Sequence, residues 1–229
     1  MVEHITRQFV FDNYQAITSV IIDIQKAMFE SDALFEDGDD GKWYNEMHDA
    51  INISFKDVKK YYNTISFDHS DINTFTNVLS DKLIKLLTKL DVSDLIIISH
   101  KKLNFIGNPN NKYNPFQKAI KKFKDVTQNL QYDEAFRVNL VDLPTLIEIA
   151  FWIERCDAGA PEYIYFSDVN EKLAFYICKL GGIHLIQYNQ EIVFDELVES
   201  LGMHFVNQNC EEKFSADSKI EGRRGRTNP

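Results

Sequence analysis

One histidine and two aspartates follow segments of the sequence that have the character of strands. They are His100 after residues 95–99, Asp142 after 136–141 and Asp168 after 163–166. If these strands are parallel, their carboxyl ends share the edge of the sheet at which ligands bind in such folds. A histidine with two carboxylates can act as a general base or hold a metal ion for hydrolysis. The alternative function that we predict is therefore a small-molecule hydrolase, although both aspartates also occupy positions typical of helix caps.

A second group of residues with possible chemical roles lies in the acidic segment 30–49, where Lys42 is the only lysine or arginine. Asp37, Asp39 and Asp40 offer carboxylate oxygens beside glycines, but their spacing does not match a calcium-binding loop. The segment is typical of a solvated loop, a metal site or a contact surface for a basic partner. We commit to the contact surface and predict no metal site.

Trp43 and Tyr44 adjoin these aspartates. Exposed aromatic residues flanked by charge are typical anchors of protein interfaces. The leading prediction is therefore a protein-binding or inhibitory protein, such as an acidic immunity-type partner of a basic effector.

Familiar catalytic motifs are absent. The sequence has no G-x-G-x-x-G pattern, no Walker A loop, no G-x-S-x-G elbow and no H-x-x-x-H pair. We therefore predict no cofactor. Cys156 follows Arg155, which could lower its pKa, but no partner base can be identified.

The elements that position these residues were predicted from hydrophobic periodicity. A strand is predicted over 4–11, and helices over 12–30, 56–62 and 71–90. Strands and helices then alternate: strands over 95–99, 102–106, 136–141, 163–166 and 183–188, and helices from 114, 142, 168 and 195. Alternation of this kind is typical of β-α-β units. We predict an α/β or α+β domain with a mixed, largely parallel sheet, flanking helices and a mainly helical N-terminal part.

Residues 1–218 are predicted to form one domain, with a mainly helical part over 1–92 and an alternating part over 93–207. Residues 219–229 hold half of the six arginines and contain Ile220-Glu221-Gly222-Arg223, which looks like an engineered protease site. We interpret this tail as a remnant of protein expression. A native basic tail that contacts an acidic partner is the other interpretation.

The charge of the chain limits its partners. The 229 residues carry a net charge of −10, so binding to nucleic acid is disfavoured and a basic protein partner is favoured. No apolar run approaches the length of a membrane span, and three cysteines without C-x-x-C spacing are typical of a reducing compartment. The prediction is a cytoplasmic protein that binds no membrane. The sequence does not indicate an oligomeric state.

We expect Trp43→Ala, or Asp39→Asn combined with Asp40→Asn, to weaken binding to a basic partner about tenfold, because anchor and charge are lost. The measurement is affinity capture from the source organism's lysate at low and high salt, with residues 219–229 removed and mass spectrometry of the retained proteins. Capture that is unchanged by these substitutions would contradict the prediction.

Overall fold

Six helices and eight strands are formed by the described residues of the computed structural model, which are 2–32, 46–49, 58–128, 131–206 and 214. In chain order they are β1 (Glu3–Ile5), α1 (Arg7–Asn13), α2 (Gln15–Asp32), β2 (Lys60–Ser66), α3 (Ile72–Lys89), β3 (Asp94–Ser99), α4 (Asn114–Thr127), β4 (Ala135–Asn139), α5 (Leu143–Cys156), β5 (Ile164–Asp168), β6 (Leu173–Ile177), β7 (Ile183–Tyr188), α6 (Asp195–Ser200) and β8 (His204–Phe205).

The eight strands form one sheet in the order β1-β4-β3-β5-β6-β7-β2-β8. Every neighbouring pair of these strands is antiparallel, so the predicted largely parallel sheet is wrong. Parallel neighbours need a long crossover connection, but a helix between two strands does not force them to be parallel. Here β3 and β4 are antiparallel neighbours although α4 connects them.

The helix predicted from residue 168 is also wrong, and it contributed to the wrong prediction of a largely parallel sheet. This stretch contains β6, which joins β5 and β7 into a meander of three consecutive strands. Leu173, Phe175 and Ile177 contribute to the core on one face of the sheet, and Ala174 to the core on the other. Because both faces are covered, the alternation of apolar and polar residues that marks a half-buried strand is missing.

Three further element predictions are wrong. Residues 4–11 contain the short β1 and then α1, whose first turn is capped by Thr6: its hydroxyl accepts a hydrogen bond from the Phe9 amide at 3.0 Å. Residues 60–62, predicted as helix, begin β2. Residues 102–106, predicted as a strand, form no regular element. The predicted helix over 71–90 is confirmed as α3, with Asp71 as its cap.

Helices cover both faces of the sheet. Helices α1 and α2 pack on one face, where Val10, Ile17 and Ile21 belong to the same core as Ile96 and Ile186 of the sheet. Helices α3 to α6 pack on the other face in a larger core. No helix in the described part of the chain has the length and apolar character of a membrane span.

Two contacts fix α2 on its face. The backbone amide of Ala16, in its first turn, donates to a carboxylate oxygen of Glu171 at 2.5 Å. A carboxylate at this end of a helix is favoured by the exposed amides and by the helix dipole. Further along α2, the buried Gln25 donates to the carbonyl oxygen of His100 at 2.8 Å.

Candidate functional site

The predicted hydrolase residues do not converge. Asp168 pairs with Leu95 at the start of β3, whereas His100 follows the end of β3, so about five residues of strand separate them. At ~3.3 Å per residue this is roughly 16 Å. Asp142 follows Asn139, the partner of Asp94, and so belongs to the end of the sheet where Asp168 lies.

Asp168 has a structural role in the turn that follows β5. Its carboxylate is fully buried and accepts hydrogen bonds from the amides of Asn170 at 3.1 Å and Lys172 at 3.2 Å. These bonds close the turn between β5 and β6. Asp142 stands at the N-cap of α5 without a side-chain capping bond.

The residues predicted to bind a protein partner, Asp37, Asp39, Asp40, Trp43 and Tyr44, lie outside the described residues. The tail 219–229 does so too. Protein binding through the acidic segment therefore stays a prediction.

Burial excludes Cys156 as an activated thiol. It raises the pKa of Cys156 to about 12, against the weaker lowering effect of Arg155. The protonated thiol is a poor nucleophile. No group of three potential metal ligands occurs among the histidine, cysteine and acidic residues that the structure describes.

His100 belongs to a buried polar group, called here the Arg7 cluster, which consists of Arg7, Gln25, Asp49, Ser99 and His100. Arg7 Nε donates to Asp49 Oδ1 at 2.9 Å, and its terminal nitrogen Nη2 donates to Oδ2 at 2.5 Å. The other terminal nitrogen donates to the Ser99 carbonyl oxygen at 2.9 Å. A two-bond contact between guanidinium and carboxylate is among the strongest polar contacts in proteins. The hydrogen bond from Arg7 to the Ser99 carbonyl oxygen joins α1 to the end of β3.

His100 is neutral in this cluster. Its side chain is almost completely buried, and this burial lowers its pKa to about 3, assisted by the nearby positive charges of Lys101 and Arg7. Its Nδ1 accepts a hydrogen bond from the Tyr163 amide at 3.1 Å. The rings of His100 and Tyr163 also meet edge to face at 5.0 Å. His100 is therefore a support for Tyr163.

Tyr163 lines a cavity of about 720 Å³ between α2 and the sheet. Helix α2 contributes Val20, Asp23, Ile24, Ala27 and Met28 to its walls, and β2, β5 to β8 and the residues next to β5 and β8 contribute the remainder of the described lining. This volume lies within the range of ~300–1,000 Å³ that is usual for small-molecule sites.

The floor of the cavity includes a continuous row of side chains across four strands, called here the cross-strand row. Tyr165 of β5 is one register position from the pair Phe166 and Phe175, which places it beside Tyr176 of β6. Tyr176 pairs with His184 of β7, and His184 pairs with Thr64 of β2. All four residues line the cavity.

The residues of the cross-strand row contact one another. The Tyr176 and His184 rings stack with centroids 4.5 Å apart and planes only 2° from parallel. His184 Nδ1 lies 3.3 Å from the Thr64 hydroxyl. Tyr165 meets Tyr176 edge to face at 5.5 Å, and Tyr163 meets it edge to face at 5.0 Å.

The hydroxyl of Tyr165 has no hydrogen-bond partner within the described ranges, although the residue is 1% exposed. Burial raises the pKa of this phenol, so the hydroxyl keeps its proton at neutral pH and can donate to a bound molecule.

Comparisons of the chain with models of known families, with curated proteins and with solved structures found no match. The site is therefore interpreted from its own geometry.

Sequence reasoning did not find this cavity. In the strand predicted over 183–188, His184 and Ile186 are two positions apart and therefore share a face, and both residues line the cavity. Nothing in the linear sequence shows that Tyr165, Tyr176 and His184 are register partners.

We expect His100 to make the protein less stable in acid. In the unfolded chain, His100 has its ordinary pKa of 6.5 and binds a proton below that pH. In the folded protein, it accepts a proton only near pH 3. From pH 7.5 to 4.5 this lowers the free energy of unfolding by about 2 to 3 kcal/mol. Urea unfolding at both pH values should show a smaller loss for His100→Asn, whose side-chain oxygen can replace Nδ1 as acceptor. Equal losses for the two proteins would contradict the assignment.

We expect the ion pair between Arg7 and Asp49 to be strongly coupled. Arg7→Met or Asp49→Asn should each lower the free energy of unfolding by about 3 to 5 kcal/mol, because each leaves a buried group without its partner. The double variant should lose clearly less than the sum. Arg137→Met is the control, since Arg137 is half-exposed and 4.0 Å from Asp94, and should cost less than about 1 kcal/mol. Additive losses in urea unfolding would argue against the coupling.

Proposed function

We propose that this protein binds a small organic molecule in the cavity between α2 and the sheet. The observation that carries the proposal is the cross-strand row of Tyr165, Tyr176, His184 and Thr64 on the cavity floor. The same face of the sheet is otherwise built largely from apolar residues such as Ile96, Ile98 and Ala174.

The composition of the row supports a binding role. Placing polar groups at positions beneath a helix costs stability unless they are hydrogen-bonded, by about 1–3 kcal/mol for each unsatisfied group. Apolar residues at these four positions would give a simpler core. Departures from the most stable choice are expected where a protein has a function to serve.

The cavity walls are held in place before any ligand arrives. The row lies on sheet strands, and Tyr163 is fixed by His100 through its backbone amide. Helix α2 is tied to the same region by Gln25. A binding site with fixed walls loses less conformational entropy when a ligand binds.

The hydrolase is not proposed with His100, Asp142 and Asp168, since His100 lies at the opposite end of the sheet from the two aspartates. Protein binding by the acidic segment involves other residues of the chain and rests on their charge, and it stays a separate prediction. The cytoplasmic location likewise remains a prediction from the sequence.

We expect Ala27→Trp to block the cavity. Ala27 is an exposed residue of α2 that lines it, so an indole at this position occupies ligand space without disturbing the core. The probe is the neutral fluorescent dye N-phenyl-1-naphthylamine, which brightens when it leaves water. The variant should bind the dye at least about tenfold more weakly than the unaltered protein, as expected when a bound molecule loses more than 1.4 kcal/mol of contacts.

Ala158→Trp is the matched control, because Ala158 is also exposed and does not line the cavity. It should bind the dye normally, and circular dichroism should show that both variants are folded. Equal binding by Ala27→Trp and the unaltered protein, or no saturable binding by the unaltered protein, would refute the proposed function.

A further inference from the structure

Building on the proposed function, we infer that the ligand of the cavity is an organic cation, namely an ammonium group that carries apolar substituents. The inference concerns the charge and shape of the ligand. It rests on the charged groups, the aromatic rings and the apolar surface that the cavity presents.

The charged groups of the cavity favour a cation. Asp23 is the only acidic residue in the described lining, and no lysine or arginine belongs to it. Among the described residues, the lysine at the rim, Lys60, already pairs with Asp23, so a ligand anion would have to compete with that carboxylate. Leaving an anion unpaired in a partly buried site is costly.

Asp23 already attracts an ammonium group at the rim. Lys60 Nζ lies 2.5 Å from Asp23 Oδ2, while the Asp23 side chain remains 60% exposed. The other carboxylate oxygen, Oδ1, accepts no hydrogen bond from the described residues. A second ammonium can bind there, because a carboxylate has about four acceptor positions.

The aromatic rings provide a second attraction for positive charge. Four tyrosines line the cavity: Tyr62, Tyr163, Tyr165 and Tyr176. The face of a tyrosine ring is electrically negative, and it attracts a cation that lies within about 6 Å of the ring centre. The Tyr163 and Tyr165 rings stand at 68° and 82° to Tyr176, so the rings of this group are not coplanar. This arrangement suits a rounded, alkylated ammonium better than a flat ring.

The remaining lining explains why the ammonium should carry apolar substituents. Val20, Ile24 and Met28 on the helix side and Ile186 on the sheet side supply apolar side chains. A small hydrated ion would leave this surface without a partner, whereas alkyl or aryl groups would bury it. The net charge of −10 also raises the local concentration of cations around the whole protein.

The test compares two probes of nearly the same shape, choline and 3,3-dimethylbutan-1-ol, which differ in that a quaternary nitrogen replaces a carbon atom. Each is titrated as a competitor against N-phenyl-1-naphthylamine bound to the full chain. We expect choline to displace the dye at a concentration at least about tenfold lower. Equal potency of the two compounds, or displacement by neither, overturns the cation inference. Because dye binding and its loss in Ala27→Trp are measured separately, the proposed function survives that result.

Variants of Tyr176 and Asp23 test separately the attraction of choline to a tyrosine ring and its attraction to the carboxylate. Tyr176→Leu should weaken choline binding about tenfold, whereas Tyr176→Phe keeps the ring and should weaken it clearly less. Asp23→Asn should weaken choline and leave 3,3-dimethylbutan-1-ol unchanged. Tyr61→Leu is the control, since Tyr61 is the neighbour of Tyr62 on β2 and does not line the cavity. Equal loss in Tyr176→Phe and Tyr176→Leu, or no loss in Asp23→Asn, would contradict the inference.

Discussion

The buried ion pair of Arg7 and Asp49 is the contact on which the arrangement of the N-terminal helices depends. Two charges with 4% and 9% exposed side chains are tolerable only because each is hydrogen-bonded. Arg7 reaches from α1 to the end of β3, and Gln25 reaches from α2 to both Asp49 and the His100 carbonyl oxygen. The ion pair therefore orients the helix that forms one wall of the cavity.

The antiparallel sheet shows what periodicity can and cannot predict. The positions of α3, α5, β3 and β7 follow from apolar spacing and from caps such as Asp71, which are local properties. Strand direction is a property of pairs that are distant in sequence, such as Leu95 with Asp168. The local pattern also fails at β6, because a strand covered on both faces has the continuous apolar composition of a buried helix.

The same limit applies to the candidate site. A histidine and two aspartates that follow strands have recognisable chemistry. In an antiparallel sheet, however, the carboxyl ends of neighbouring strands lie at opposite ends of the sheet, so His100 after β3 and Asp168 at the end of β5 cannot meet. The cavity residues are chemically ordinary in the sequence. Tyr165, Tyr176 and His184 become a site only when the register places them side by side. The residues of the site could be predicted as buried, but not as neighbours.

Helix α2 has two halves with different tasks. Its first half is buried through Ile17 and Ile21, whereas Asp23 and Ala27 in the second half are exposed and line the cavity. Gln25 lies between these two residues in the sequence and, as a member of the Arg7 cluster, donates to Asp49. A ligand that contacts α2 and the sheet together adds its binding free energy to the stability of the folded chain. The Arg7 cluster also holds α2 to the sheet, through Gln25 and the end of β3. We therefore expect ligand binding in the cavity to stabilise the cluster, and the intact cluster to strengthen ligand binding.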